Sequence, residues 1–392
     1  MIDRTLEKKS ECTGCWACYN ACPVGAISMV DDEEGFKYPH VDYETCIECK
    51  RCVKVCPTIN EKQTYKRGVA YACYNKDEEI RRQSSSGGIF TLIAEEFISR
   101  DGKVFGAVFD ENFDVHHDGA SDMEEVGRMR GSKYVQSTIG ETYKEVKDLL
   151  NSGEYVLFSG TPCQVGGLRT YLGRDYSKLF CMDNICHGIP SPKVFSEYRQ
   201  YLEKKHMSRM ISYEFRNKEK GWIKYHTKVN FANSDVHLES LNEDLFMRAF
   251  LIDICLRPSC HNCSFKGLNR QSDITMADFW GVDKIIDDKH DDKGISLIFI
   301  NSEKGKNILN SVEKKLVIEP TNMDLAVKYN SAAINSVKPH KNRESFFEHL
   351  DVMDFPELVE KYCTYSFKIR LKQQIKSILK KILVFLGVRK KG

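Results

Sequence analysis

"CTGCWACYNACP", Cys12 to Pro23, carries four cysteines in the spacing C-x2-C-x2-C-x3-C-P, and the same spacing returns in "CIECKRCVKVCP", Cys46 to Pro57. Each cysteine of the second run lies 34 residues after its counterpart, so the segment is an internal duplication. A tight loop with a thiolate at every third residue wraps three corners of one iron–sulfur cubane, while the fourth cysteine points across to the other cubane. Cys12, Cys15, Cys18 and Cys56 are therefore expected to hold one 4Fe-4S cluster, and Cys46, Cys49, Cys52 and Cys22 a second. Pro23 and Pro57 close the runs because proline cannot continue the preceding backbone pattern.

The competing reading is a zinc ribbon, which also uses C-x2-C pairs. Zinc takes four ligands, usually as two separated pairs, and has no use for a third and fourth cysteine within each short run. The arrangement is that of a bacterial two-cluster ferredoxin, expected over residues 1–62. Two adjacent cubanes make an electron wire, and something else must supply or accept the electrons.

The bulk properties agree with a redox protein of several units. A chain of 392 residues can bury two or three cores. Its 41% hydrophobic and 29% charged content is that of an ordinary globular protein. Sixteen cysteines point to metal ligation or redox chemistry in a reducing compartment. The charged N-terminus lacks an apolar signal region, and the apolar run Ile382 to Val388 is too short to span a bilayer. The expected location is the cytoplasm, and no nucleic-acid partner is expected.

Beyond a polar connector, Asn60 to Arg67, strands and helices alternate. Ile89 to Ser99 reads as helix, Lys103 to Phe109 as strand, Glu141 to Asn151 as helix, Tyr155 to Phe158 as strand, Pro162 to Leu172 as helix and Leu179 to Asp183 as strand. Ile211 to Leu241 reads as antiparallel strands, so a mixed sheet in an α/β or α+β domain is expected rather than a purely parallel one. Three glycine-bearing turns stand out. "QSSSGGIF" (83–90) combines hydroxyls, two glycines and a helix start, a set that suits a phosphate, although a plain serine N-cap explains it equally well. "RGSKYVQS" (130–137) adds the cation Lys133, or is an exposed loop. "SGTPCQ" (159–164) sets Cys163 in a strand-to-helix turn, where a small buried side chain, a nucleophile at a helix start and a metal ligand all remain open readings. No G-x-G-x-x-G or Walker pattern is present, so neither a Rossmann site nor a P-loop is indicated.

Cys186 in "DNICHGIPSP" and the pair Cys260 and Cys263 in "CLRPSCHNCSFKG" lie in loops where distant segments can converge with Cys163, and four thiolates could hold one more cubane. The ordered turns "SSGG", "GSKY", "GTPCQ", "CHG", "SCHNC" and "ADFWG", from about Tyr71 to Trp280, resemble those of the flavin-containing β subunit of the coenzyme F-420 hydrogenase and dehydrogenase family. That resemblance implies FAD bound in the α/β domain and a third 4Fe-4S cluster at Cys163, Cys186, Cys260 and Cys263. It also implies FAD contacts from Ser85, Ser86, Gly87 and Gly88, from Gly131, Ser132, Lys133 and Tyr134, and from Thr161, Gln164, Asp278 and Trp280. Asp278 as a turn-former and Trp280 as a core residue compete with those roles. So does Cys163 as a nucleophile partnered by His187, which the resemblance opposes. Cys73, Cys181, Cys255 and Cys363 read as small apolar residues, with Cys255 near enough in sequence to replace a ligand. His116, His117 and His290 read as surface residues, and Asp287 to Gly294 as a solvated loop or a lid over the flavin.

The flavin-binding unit is thus expected over residues 63–365 and a basic amphipathic helix over 366–392. From Ser366 to Gly392 there are nine Lys or Arg and no acidic residue, so the whole-chain charge of +2 leaves −7 for the rest. Leu371, Ile375, Ile378, Leu379, Ile382, Phe385 and Leu386 share a helical face opposite Lys372, Lys376 and Lys380. Such a helix suits the anionic inner face of the cell membrane, or packs as a terminal helix whose lysines snorkel. The functional expectation is an iron–sulfur flavoprotein oxidoreductase. It would pass electrons between a redox carrier protein or reduced coenzyme and FAD, with two-electron chemistry on a small-molecule or lipid-linked substrate, as in polysaccharide biosynthesis. A non-catalytic electron-transfer subunit serving a partner enzyme is the alternative.

Overall fold

The computed structural model describes residues 1–60, 64–286 and 291–363. The tail from Ser366, His290 and half of the 287–294 loop lie outside those residues. Thirteen strands run in chain order: β1 (Ile27–Asp31), β2 (Lys37–Val41), β3 (Val69–Asn75), β4 (Lys103–Phe109), β5 (Val115–Ala120), β6 (Val156–Gly160), β7 (Leu179–Asn184), β8 (Met210–Asn217), β9 (His226–Phe231), β10 (Val236–Ser240), β11 (Ile274–Asp278), β12 (Ser296–Ile300) and β13 (Leu316–Thr321). They form a β1-β2 hairpin, a three-stranded sheet β10-β9-β8 and an eight-stranded sheet β13-β3-β12-β11-β7-β6-β4-β5.

The large sheet is mixed. Its centre, β4, β6, β7 and β11, is parallel, and antiparallel strands flank it on both sides. Side-chain alternation builds a core on each face. Val104, Val108, Leu157, Phe180 and Met182 face the helices Ile89–Ile98 and Glu303–Val312. Phe105, Val156, Phe158, Leu179 and Cys181 face the helices Thr142–Asn151 and Pro162–Leu172. Cys15, Trp16 and Ala17 of the first cysteine loop join this second core. The small sheet packs its own aromatic core of Phe195, Tyr198, Phe215 and Phe246.

The cysteine-rich segment is bolted to the α/β unit at several points. Thr170 Oγ1 donates to the Val55 carbonyl at 2.6 Å, Asn20 Nδ2 to the Gly140 carbonyl at 2.9 Å, and Arg343 pairs with Glu34. At Gly167 the backbone of the Pro162–Leu172 helix comes so close that an added Cβ would sit 3.0 Å from Cys15 Cβ and 3.1 Å from its Sγ. Among the described residues no helix is long and apolar enough to cross a membrane.

Gly167→Val should therefore destabilise the protein by about 1–3 kcal/mol through overpacking. A lower midpoint in anaerobic urea unfolding measures it.

Candidate iron–sulfur and cofactor sites

The duplication in the sequence is repeated in the backbone. Gly14 and Trp16 take left-handed conformations in the first loop (φ 66° and 67°), and Glu48 and Lys50, each 34 residues later, do the same in the second (φ 52° and 58°). Non-glycine residues held there are strained, and such strain gathers at ligand clamps. Alternating left-handed turns curl each loop around its thiols, as in an anion-binding nest.

The last cysteine of the second run reaches the first loop. Cys12, Cys15, Cys18 and Cys56 line a common cavity with Gly14 and Trp16. All four are buried, whereas Cys22 and Cys46 are half-buried and Cys49 is exposed. Burial first, and then the neighbouring thiols of Cys56, Cys12 and Cys163, push the Cys15 thiol well above its ordinary range. Cys163 is thus a near neighbour of the inner ferredoxin loop. Cys52, Cys22 and Cys46 pack in one apolar cluster, which Cys18 and Cys56 also join, and burial raises the Cys52 thiol, with a smaller push from the Cys49 thiol.

Cys163, Cys186, Cys260 and Cys263 converge at the carboxyl end of the parallel strands, the edge at which open α/β sheets place ligands. Cys163 follows β6 in the first turn of the Pro162–Leu172 helix, Cys186 follows β7, and the other two sit on the short turn Pro258–Asn262 and its cap. Burial, then the thiols of Cys263 and Cys260, pushes Cys163 up to about 12. Burial likewise raises Cys260 to about 11 and Cys186 well above its ordinary range, the latter next through Cys260. Unaided, these thiols stay protonated at neutral pH; bound iron is what would hold them as thiolates.

The spacing of the sulfurs bears on what they can hold. Thiolates around one zinc lie about 2.3 Å from the metal and so about 3.8 Å from each other. Among the described residues no three cysteine sulfurs lie within 4.8 Å of one another. Within the group that does meet the 4.8 Å limit, His237, Glu239 and Asp244, the Tyr198 hydroxyl already bridges His237 and Asp244.

Hydrogen bonds to sulfur accompany the cysteines. Ala26 N–H donates to Cys22 Sγ at 3.2 Å and Ile189 N–H to Cys260 Sγ at 3.4 Å, and the Thr161 hydroxyl lies 3.2 Å from Cys163 Sγ. Such bonds tune cluster potentials. Thr161 and Gln164 form the capping box of the Cys163 helix. They belong to the thiol site rather than to the cleft described next. His187 Nε2 pairs with Asp253 at 2.5 Å. Cys255 is fully buried beside Cys363, in the apolar core.

A cleft of about 600 Å³ opens between the end of β4, the turn 130–133 and β8. Ser85, Gly131, Ser132 and Lys133 line it. Ser132 N–H donates to Ser85 Oγ at 2.7 Å, which ties two of the turns marked in the sequence into one wall. Ser86, Gly87 and Gly88 stand behind that wall: Gly87 packs on β3 and β12, where a Cβ would lie 2.6 Å from the Cys73 carbonyl oxygen. Asp278 accepts from Arg216, a cleft residue, and from Trp222 Nε1 at 2.7 Å. Trp280 stacks on Trp222 with ring centroids 5.0 Å apart.

Sequence reasoning missed the cations of this cleft. Arg82, Arg128, Arg130, Arg216, Lys218 and Lys228 outnumber Glu214 and Glu219 there. Only the run "RMRGSKY" offered a local signal; Arg216 and Lys218 come from a strand with no motif. Lys133 Nζ donates to the carbonyls of Arg128 (3.1 Å), Met129, Arg130 and Gly131, and Lys218 Nζ to those of Arg81, Ser86 (2.9 Å) and Lys293. Burial lowers both ammonium groups to about 7. Two corrections concern other expected surface features. His117 is buried, stacked on Phe158 and bonded to Ser137 Oγ and the Ser159 carbonyl, and burial lowers it to about 4. Asp291 pairs with Arg81, and Asp292 accepts from Ile223 N–H, so the described half of the 287–294 loop is anchored, while Asp291 and Lys293 remain exposed.

Aromatic contacts join the cleft to the four thiols beneath it. Tyr134 follows Lys133 and packs on Phe250 at 4.8 Å, and Phe250 meets the ring of His187, the neighbour of Cys186, at 5.5 Å.

Known proteins match parts of this chain. The family described as "4Fe-4S dicluster domain" matches residues 11–60, and the family defined by the C terminus of the coenzyme F420 hydrogenase/dehydrogenase beta subunit matches residues 153–325. The F subunit of the F(420)H(2) dehydrogenase of Methanosarcina mazei is 22% identical over 272 residues, covering 64% of this chain and 71% of that protein. An uncharacterized ferredoxin of Methanocaldococcus jannaschii is 44% identical over 58 residues, covering 15% of this chain and 74% of its own. A chain of the F420-reducing [NiFe] hydrogenase complex from Methanosarcina barkeri aligns at 19% identity with a TM-score of 0.45, covering 74% of this chain and 93% of its own.

Because Lys133 is charged below its pKa of about 7 and neutral above it, anion affinity in the cleft should fall as pH rises from 6 to 8.5. Calorimetric titration with inorganic pyrophosphate reads this, and Lys133→Met should bind more weakly with a flatter pH profile.

Proposed function

The chain belongs to the family of coenzyme F420 hydrogenase/dehydrogenase β subunits, with a two-cluster ferredoxin domain at its N-terminal side, and from that premise we propose that it is a three-cluster, FAD-dependent oxidoreductase. Iron–sulfur electron transfer is the common ground of the two matched families. The finer reading adds a third cluster at Cys163, Cys186, Cys260 and Cys263, and FAD in the basic cleft. It takes residues 1–62 as the ferredoxin unit and 63–365 as the flavin unit.

The observation that carries this reading is the close approach of Cys15 to the helix that bears Cys163. It gives a short route from the ferredoxin unit into the α/β unit. Cys49, the exposed thiol, marks the end that an external one-electron carrier can reach, and the buried tetrad of Cys12, Cys15, Cys18 and Cys56 is the inner relay. Tyr134, Phe250 and His187 fill the space between thiols and cleft with packed rings and keep water out.

The donor set of the cleft fits a dinucleotide. Its volume lies in the range of cofactor pockets. Lys133 and Lys218 donate only to backbone carbonyls, so their charge is available to a pyrophosphate, and Phe109 and Phe215 offer apolar walls for a ring system. FAD, when bound, would convert single electrons into a two-electron exchange with an organic substrate. Arg216, fixed by Asp278 and flanked by the Tyr225 and Trp280 rings, holds positive charge on the wall facing that substrate. An anionic substrate follows from the same surplus of cations. A lipid-linked substrate would suit a membrane-seeking tail from Ser366 onward, a segment outside the described residues.

A second reading is favoured by the M. mazei relative, whose name is that of one component of a larger enzyme: the chain would pass electrons to a partner and make no product itself. Supplying the reconstituted protein with a reduced ferredoxin separates the two. Flavin reduction with turnover of a small molecule supports the enzyme; flavin reduction with none supports the electron-transfer component.

Anaerobic preparations should contain about twelve irons with matching sulfide and one FAD per chain, and Cys186→Ser should retain about eight irons. A wild-type content of eight irons removes the third cluster, and flavin-free protein after reconstitution removes FAD.

A further inference from the structure

Arg257 is 1% exposed and sits where the ferredoxin loops meet the α/β unit. Its Nε donates to the Cys12 carbonyl at 2.9 Å, Nη1 to Gln136 Oε1 at 2.9 Å, and Nη2 to the Lys37 carbonyl at 3.0 Å. Every acceptor is neutral. Its guanidinium carbon lies 4.2 Å from the Tyr38 ring centroid and 5.4 Å from that of Phe36. Gly14 lets the first cysteine loop lie over the guanidinium, since a Cβ there would be 2.9 Å from Nη1.

The other deeply buried arginines near functional features are charge-paired: Arg81 with Asp291 and Arg216 with Asp278. Among the described residues no carboxylate bonds or ion-pairs with Arg257. A guanidinium taken out of water without a counter-charge is strongly unfavourable, so an anion must come within reach. The groups in place to supply it are sulfur. The Arg257 carbonyl accepts from Cys260 N–H at 2.9 Å, its own N–H donates to the carbonyl of Ile189, whose N–H donates to Cys260 Sγ at 3.4 Å, and its side chain is bonded to the backbone of Cys12.

We infer that Arg257 is the shared counter-cation of two iron–sulfur clusters, the one held by Cys12, Cys15, Cys18 and Cys56 and the one held by Cys163, Cys186, Cys260 and Cys263; this rests on the ligand assignment proposed above. Four thiolates leave each cluster negative, and an added electron makes it more so. A fixed positive charge between the two favours the reduced state of both and raises both midpoint potentials. When one electron passes across, the donor loses one negative charge and the acceptor gains one. Arg257 keeps its proton throughout, since a guanidinium does not titrate in this range.

The test is an anaerobic redox titration followed by electron paramagnetic resonance on the iron-loaded full chain. With Arg257→Gln, the midpoints of these two clusters should move to more negative potential, while the cluster at Cys22, Cys46, Cys49 and Cys52 stays in place as an internal reference. Arg257→Lys, which keeps the charge, should lie nearer wild type. Unchanged midpoints in an iron-replete Arg257→Gln protein would overturn the inference and leave Arg257 a structural bolt. If that variant loses iron, Gln136→Glu decides instead, because it keeps the hydrogen bond and sets a carboxylate against the guanidinium: more negative midpoints support the inference, and wild-type midpoints overturn it. Wild-type protein with only eight irons would defeat the cluster assignment itself, a separate and distinguishable failure.

Discussion

Two redox units must touch if electrons are to pass between them, and here the contact depends on a residue with no side chain. The Cys15 side chain rests against the bare backbone of Gly167, one turn along the helix whose first turn carries Cys163. Any larger residue at that position would push the first cysteine loop outward. The loop is not free to move alone, because Trp16 and Ala17 are part of the core that Phe158, Val165 and Leu168 build against the sheet. The ferredoxin segment therefore docks by sharing a hydrophobic core, and its register against the α/β unit is fixed by packing as well as by polar bonds.

What could be read from the sequence follows from how locally each feature is encoded. The two cysteine runs carry their own geometry: spacing sets which thiols curl inward, and the matched left-handed residues at Gly14 and Glu48, and at Trp16 and Lys50, are the same device written twice. Between Lys103 and Asn184, three strands and two helices were legible for a similar reason, whereas the strand Val115–Ala120 and the helix Met123–Met129 were not. Their apolar alternation and the Thr-Pro start of the 162–172 helix are short-range signals.

The four converging thiols were legible as loop cysteines that could meet, but as a ligand set they needed the resemblance, because their proximity is a property of strand order. Cys163 and Cys186 are brought together since β6 and β7 are parallel neighbours, and Cys260 and Cys263 arrive after a three-stranded excursion through the small sheet. The cleft cations were hidden for the same reason: β8 delivers Arg216 and Lys218 to a wall built by segments 80 residues or more earlier. His117 misled because "VHHDGA" shows no apolar alternation. It still obeys period two, turning inward on β5 to meet Ser137 and the Ser159 carbonyl, where an imidazole replaces an apolar side chain.

The pattern of charge pairing sets four cations apart, although cleft residues such as Arg216 have a carboxylate as well. Where a buried or half-buried cation holds the fold, it has a carboxylate: Arg343 has Glu34, Arg169 has Asp273, and Arg81 has Asp291. Arg257, Lys266, Lys133 and Lys218 differ, since the hydrogen bonds of all four end on neutral oxygens. Two of them flank the converging thiols and two line the cleft. A chain that is −7 outside its tail has acidic residues to spare, so their absence at these four positions is a matter of placement. Neutral acceptors can hold a cation in position without cancelling its charge, and that leaves the charge to act on an anion that arrives later.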